Sequence, residues 1–152
     1  MALVIGNSAY QFASELKNPV NDANDIAEML KNIGFDVMYF KNLDTNSFNE
    51  ALKEFGQRIQ QYDVTLVFFA GHGIQVDGKN YIIPTNAQLK NKVDLPFEAI
   101  DVDKIVNIIA DTDDDKLNLL ILDACRNNPF GSWNRGGSEG LSGIHPPSGV
   151  LV

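Results

Sequence analysis

Val64-Thr65-Leu66-Val67-Phe68-Phe69-Ala70, followed by Gly71-His72-Gly73, decides how this chain folds. The run is continuous and almost wholly β-branched or aromatic. It shows no polar alternation, which is the pattern of a strand buried on both faces. The same form recurs on either side. Ala2 to Gly6 is an apolar run ending in Gly6-Asn7-Ser8, and Asn118 to Leu122 runs into Asp123-Ala124-Cys125-Arg126. Between these runs lie stretches with helical spacing. Strands alternating with helices predict an α/β domain: a mostly parallel central sheet with helices on both faces.

The intervening stretches carry their own signals. Asn18-Pro19 opens a helix, with Asn18 as N-cap and Pro19 at the first helical position. Val20, Ala23, Ala27 and Leu30 form its apolar face, and Gly34 ends it. Phe35 to Phe40 reads as a second strand. Ser47 followed by Glu50 suggests a capping box, with Phe48, Leu52, Phe55 and Ile59 on one face of the helix behind it. Asp77-Gly78, between Ile74–Val76 and Tyr81–Ile83, is a strong hairpin signal. Asp101 to Ile109 reads as a helix with Val102, Ile105, Val106 and Ile109 inward. Residues 131–149 are rich in Gly, Ser and Pro and read as a long loop. Gly149 to Val152 begins another strand.

Composition narrows the function classes. With 152 residues, 44% hydrophobic and 21% charged, the chain suits one globular domain and not a disordered one. No apolar run is long enough to span a bilayer. Met1 leads directly into Ala2-Leu3-Val4-Ile5, which reads as a strand and not a signal peptide, so the start is expected to fall inside a longer protein. A net charge of −8 with no basic stripe argues against nucleic acid as partner. One cysteine makes no intramolecular disulfide, which fits a reducing, cytoplasmic setting and a thiol kept for its reactivity.

In an open α/β sheet, ligands bind at the carboxyl ends of the strands. Two of those ends carry reactive side chains, His72 and Cys125. A thiol needs a base to become a thiolate near neutral pH, and an imidazole is the usual one. Gly73 has no side chain, so its N–H can face a substrate carbonyl. With the N–H of Cys125 it would form an oxyanion hole. Either residue alone reads blandly: a cysteine after a buried strand is often inert core, and a histidine between glycines can be a turn residue. The pair, on neighbouring strand ends, points to nucleophilic catalysis.

These stretches resemble a known family. Phe68-Phe69-Ala70-Gly71-His72-Gly73 with Leu122-Asp123-Ala124-Cys125-Arg126 resembles the catalytic pair of caspase-like cysteine peptidases. Tyr81-Ile82-Ile83-Pro84 and Asn127-Asn128-Pro129-Phe130 are similar to bacterial members near the paracaspase and metacaspase branches. Against the caspase signature Q-A-C-[RQG]-G, Asp123 replaces the Gln and Asn127 the Gly. The resemblance implies a caspase-like three-layer αβα sandwich over 1–152, the large-subunit portion, with the first strand between the second and third. It implies a Cys125–His72 dyad, with no third member evident. It also implies an S1 pocket walled by Asp123 and Asp22, whose carboxylates would suit a basic P1 residue, Arg better than Lys. Residues 131–149 would be a flexible loop cut during activation, with Arg135 in Trp133-Asn134-Arg135-Gly136-Gly137 as the candidate processing site. The expected partners are peptides or proteins with a basic P1, and a small-subunit chain or C-terminal region completing the fold.

Other candidates are weaker. His145 lies among prolines and reads as a loop residue. Asp111, Asp113, Asp114 and Asp115 resemble a metal loop at first glance. The EF-hand pattern needs Gly and Glu where Lys116 and Leu122 stand, so that motif fails. His72 and Cys125 alone make a poor zinc site. No cofactor or metal is expected, although some metacaspase relatives use calcium through acidic clusters. Two other classes stand beside the peptidase: a non-catalytic caspase-like interaction module, and a flavodoxin-like binder. The second is disfavoured because Gly6-Asn7-Ser8-Ala9-Tyr10 lacks the Gly-x-Gly-x-x-Gly phosphate pattern.

Overall fold

The computed structural model describes residues 1–112, 116–125, 143–144, 146–147 and 149–152, with Cys125 described by its backbone. Five strands form the parallel part of the sheet: β1 (Ala2–Gly6), β2 (Val37–Lys41), β3 (Val64–Val76), β6 (Leu117–Cys125) and β7 (Val150–Leu151). Their order is β2-β1-β3-β6-β7, so the first strand does lie between the second and third. Two short strands extend the sheet beyond β3: β4 (Lys79–Ile82) pairs antiparallel with the end of β3, and β5 (Ile100–Asp101) pairs antiparallel with β4.

The pleat sorts alternate residues to opposite faces. Ala2, Val4, Leu66, Phe68 and Ala70 pack against Ala23, Ala27 and Leu30 of α1 (Pro19–Asn32). Leu3, Ile5, Val67, Phe69 and Leu120 pack on the other face, against α2 (Thr45–Arg58) and α4 (Val102–Ala110), the one-turn α3 (Leu95–Glu98) lying between these two in the chain. The result is an αβα sandwich. Phe48, Leu52 and Phe55 of α2 are fully buried, and each contributes about 1.5–3 kcal/mol by leaving water. In α4 the four residues read as inward, Val102, Ile105, Val106 and Ile109, are all buried.

Several local features differ from the sequence reading. The run at Val64 does not end at Ala70. It passes through Gly71-His72-Gly73 as one strand of 13 residues, because β6 supports it on one side as far as His72 and β4 takes over from Gly73. The Asp77-Gly78 turn then closes the hairpin, both residues having positive φ (51° and 81°), as a type I′ turn requires. The N-cap of α2 is Asp44 and not Ser47. The Asp44 carboxylate accepts from the Ser47 N–H at 2.8 Å, and the Ser47 hydroxyl accepts from the Asp44 N–H at 3.1 Å. Asn18 occupies the cap position of α1, but its side chain makes no cap bond. The Ser8 hydroxyl accepts from the Val20 N–H instead, at 3.3 Å. The strand read at Asn118–Leu122 is longer and not buried on both faces. Leu117 and Ile121 are exposed, and Leu119 between them packs only partly buried against the α1-side cluster.

Candidate functional site

The loop after β1 is the framework of the site. Asn7 is fully buried. Its Oδ1 accepts from the Leu43 N–H at 2.9 Å, and its Nδ2 donates to the carbonyls of Leu43 and Ile83. Asn42, at φ 55°, turns its Oδ1 to accept from the N–H groups of Ser8 and Ala9 at 2.9 and 3.0 Å. The Gln11 N–H donates to the Thr85 carbonyl at 2.8 Å. Three loops are thereby joined at the carboxyl end of the parallel sheet, and Tyr10 and Ser14 are held against His72 of β3.

His72 lies beneath that segment and is 3% exposed. Its Nε2 is 2.8 Å from the Ser14 carbonyl oxygen. A carbonyl only accepts, so Nε2 carries the proton and Nδ1 keeps its lone pair. Nδ1 is buried and has no hydrogen-bond partner among the described residues. Burial pushes the imidazole below its ordinary pKa of 6.5, and the Ser14 hydrogen bond opposes that shift. A buried basic nitrogen with nothing on it is a proton acceptor waiting for a donor.

Directly across the ladder stands Cys125. Its register partner on β3 is His72: Cys125 ends β6, and His72 is where the parallel β3–β6 pairing stops, before β3 runs on to Val76. The backbone of His72 is engaged on the side away from β6: its N–H donates to the Tyr10 phenol at 2.8 Å, and its carbonyl accepts from the Ile83 N–H at 3.0 Å. Backbone groups alternate sides along a strand, so the Gly73 amide faces the β6 side, where Cys125 lies.

Asp22, half-buried in the first turn of α1, and Asp123, exposed near the end of β6, line one cavity of about 220 Å³. Leu16, Lys17, Asn18 and Pro19 complete its wall. The helix approaches closely here because Gly6 has no side chain. A Cβ at that position would lie 2.5 Å from the Pro19 carbonyl oxygen. The structure thus brings His72 opposite Cys125, and Asp22 together with Asp123. Arg135, His145, Asp113, Asp114 and Asp115 lie outside the described residues. Among the described residues, no three His, Cys, Asp or Glu side chains converge as a metal site, and no helix is long and apolar enough to cross a membrane.

Two participants escape the sequence reading. The Ser14 carbonyl is a backbone atom and has no signature in residue type. Tyr10 lies 62 residues before His72 in the chain, and only the fold puts its ring on the imidazole.

The strand order, the two-sided helical cover and the histidine–cysteine pairing define a caspase-like α/β domain. The chain belongs to the caspase domain family, Peptidase C14, whose family model matches residues 1–149. Over 126 residues it is 26% identical to human mucosa-associated lymphoid tissue lymphoma translocation protein 1, covering 83% of this chain and 15% of that protein. A paracaspase of Dictyostelium discoideum is 27% identical over 132 residues, covering 83% of this chain and 30% of that protein. The chain therefore spans under a third of the length of either relative. A crystal structure of a Geobacter sulfurreducens protein matches in fold with a TM-score of 0.64 at 15% identity, covering 82% of this chain and 50% of that one.

Proposed function

We propose that the domain is a cysteine endopeptidase that cleaves after basic residues, Arg above all and Lys second. The observation that carries this reading is the register pairing of His72 with Cys125, beside a cavity walled by two carboxylates.

The steps follow from the atoms. His72 Nδ1 takes the proton of the Cys125 thiol, and the imidazolium is held by the Ser14 carbonyl at Nε2–H. The thiolate attacks the carbonyl after the P1 residue. The amides of Gly73 and Cys125 hold the tetrahedral oxyanion. The imidazolium returns its proton to the leaving amine. Water, deprotonated by His72, then cleaves the thioester and frees the carboxylate product and the thiol. Asp22 and Asp123 would receive the P1 guanidinium, whose planar fork can be shared between two carboxylates.

Activation belongs to the same reading. Cleavage after Arg135 would release the segment that follows Cys125. A small-subunit chain or C-terminal region would complete the sheet and the rest of the substrate wall. The single cysteine suits a cytoplasmic location. No cofactor takes part in the steps above.

A fluorogenic peptide panel with Arg, Lys or Asp at P1 tests the proposal. The longer parent protein, or this chain with its completing partner, is assayed beside a Cys125→Ala variant, with and without calcium. Cleavage after Arg that vanishes in the variant supports the reading. Cleavage after Asp keeps the peptidase and overturns the pocket. Absence of all cleavage overturns the peptidase in favour of a non-catalytic interaction module.

A further inference from the structure

We propose that Tyr10 is a positioning residue that locks the His72 imidazole with Nε2 on the Ser14 carbonyl and Nδ1 left as the free base. The proposal rests on the peptidase reading above. The β1–β3 ladder ends at Gly6 opposite Ala70, so the His72 N–H lies beyond the reach of β1. The Tyr10 phenol takes the place of the missing strand and accepts that N–H at 2.8 Å. The same side chain lays its ring on the imidazole, with centroids 4.4 Å apart and planes at 54°. One residue therefore holds both the backbone and the ring of His72.

The surroundings are built to admit it. A Cβ at Gly71 would lie 2.5 Å from the Tyr10 hydroxyl oxygen, so the glycine before His72 makes room for the phenol. Tyr10 is itself fixed at the backbone, where its N–H donates to the Ser8 carbonyl at 3.1 Å. Without the ring wall the imidazole could turn about its χ2 axis, and Nε2 would leave the Ser14 carbonyl. Both ring nitrogens would then exchange between tautomers and water, and the base would no longer be preorganised. A tilted aromatic pair also contributes packing beyond its buried area.

The test uses Tyr10→Phe, Tyr10→Leu and Tyr10→Ala in the same chain, each checked for fold by circular dichroism. Three readouts are taken: imidazole nitrogen chemical shifts of His72, alkylation of Cys125 by iodoacetamide, and peptide kcat and KM. Tyr10→Phe keeps the ring, and is expected to keep the Nε2–H tautomer while the His72 amide exchanges faster with solvent. Tyr10→Leu and Tyr10→Ala are expected to give a mixed tautomer, slower alkylation, and kcat lower by about 100-fold at nearly constant KM. A wild-type tautomer and alkylation rate in the folded Leu or Ala variant would overturn the proposal. Should Tyr10→Ala not fold, Tyr10→Leu, which fills much of the same space, decides it. The nitrogen shifts and the alkylation need no peptide, so they judge Tyr10 even where the peptidase reading fails.

Discussion

The Ser14 carbonyl oxygen and His72 Nε2 are 2.8 Å apart, and this one bond decides which nitrogen of the imidazole is basic. It also holds a charged ring better than a neutral one, while burial does the reverse and wins. His72 therefore binds its proton more weakly in the fold than in the unfolded chain. Between its folded midpoint and 6.5 the unfolded chain holds the proton and the folded one does not, so stability rises with pH through that window. Below the folded midpoint both states are protonated and the slope from this group vanishes. Urea titrations between about pH 5 and 7 should show this slope in the wild type and lose it in His72→Gln. The acid limb of kcat/KM should likewise fall below 6.5.

The carboxylates of the shared cavity make a separate prediction. In the proposed pocket, replacing Asp22 by Asn, or Asp123 by Asn, would remove a charge-assisted hydrogen bond to the P1 guanidinium. KM for Arg peptides should rise about 10-fold or more for either variant, and more for half-buried Asp22 than for exposed Asp123. Michaelis kinetics with Arg and with citrulline at P1 check this, since the neutral isostere should lose the discrimination.

Gly6 ties the fold to that cavity. Gly6→Ala places a methyl 2.5 Å from the Pro19 carbonyl oxygen and 2.8 Å from the Ala23 Cβ, both on α1. The helix must move away from β1, at a cost of about 1–3 kcal/mol. Asp22 moves with it. Denaturant unfolding should report the loss, and KM for Arg peptides should rise in the protein that remains folded.

The cap of α2 gives a prediction with no bearing on the site. The Ser47 hydroxyl, and then its N–H, hold the Asp44 carboxyl below its usual range. That stabilisation is present above 3.8 and is lost as pH falls through the lowered folded value. Asp44→Ala should lower Tm by about 3 °C at neutral pH, measured by calorimetry, and leave peptide cleavage unchanged.

How much could be read beforehand depends on what each residue type can signal. The Val64 run, the α4 face and the Asp77-Gly78 turn were legible because side-chain periodicity and positive φ leave marks in residue identity. His72 and Cys125 were legible as reactive residue types after buried strands, Asp22 and Asp123 only through the family resemblance, and the fold decides their proximity. The strand through Gly71 and Gly73 was not legible, because glycines ordinarily mark a break and only β4 and β6 keep the chain extended there. Asp44 escaped the reading because Ser47 followed by Glu50 already matches a capping-box pattern, while the helix in fact begins three residues earlier. Ser14 acts through its backbone and Tyr10 through a contact across the loop, so neither had a pattern to find.

β3 pairs in parallel along its first part and antiparallel along its last, and His72 sits where one pairing gives way to the other. The parallel side is anchored by the nine residues of β6; the antiparallel side has only the four of β4. The shorter flank is the cheaper one to open. Opening it frees the His72 carbonyl from Ile83 while the larger sheet stays intact. On the proposed peptidase reading, heat should therefore silence cleavage several degrees before it melts the fold.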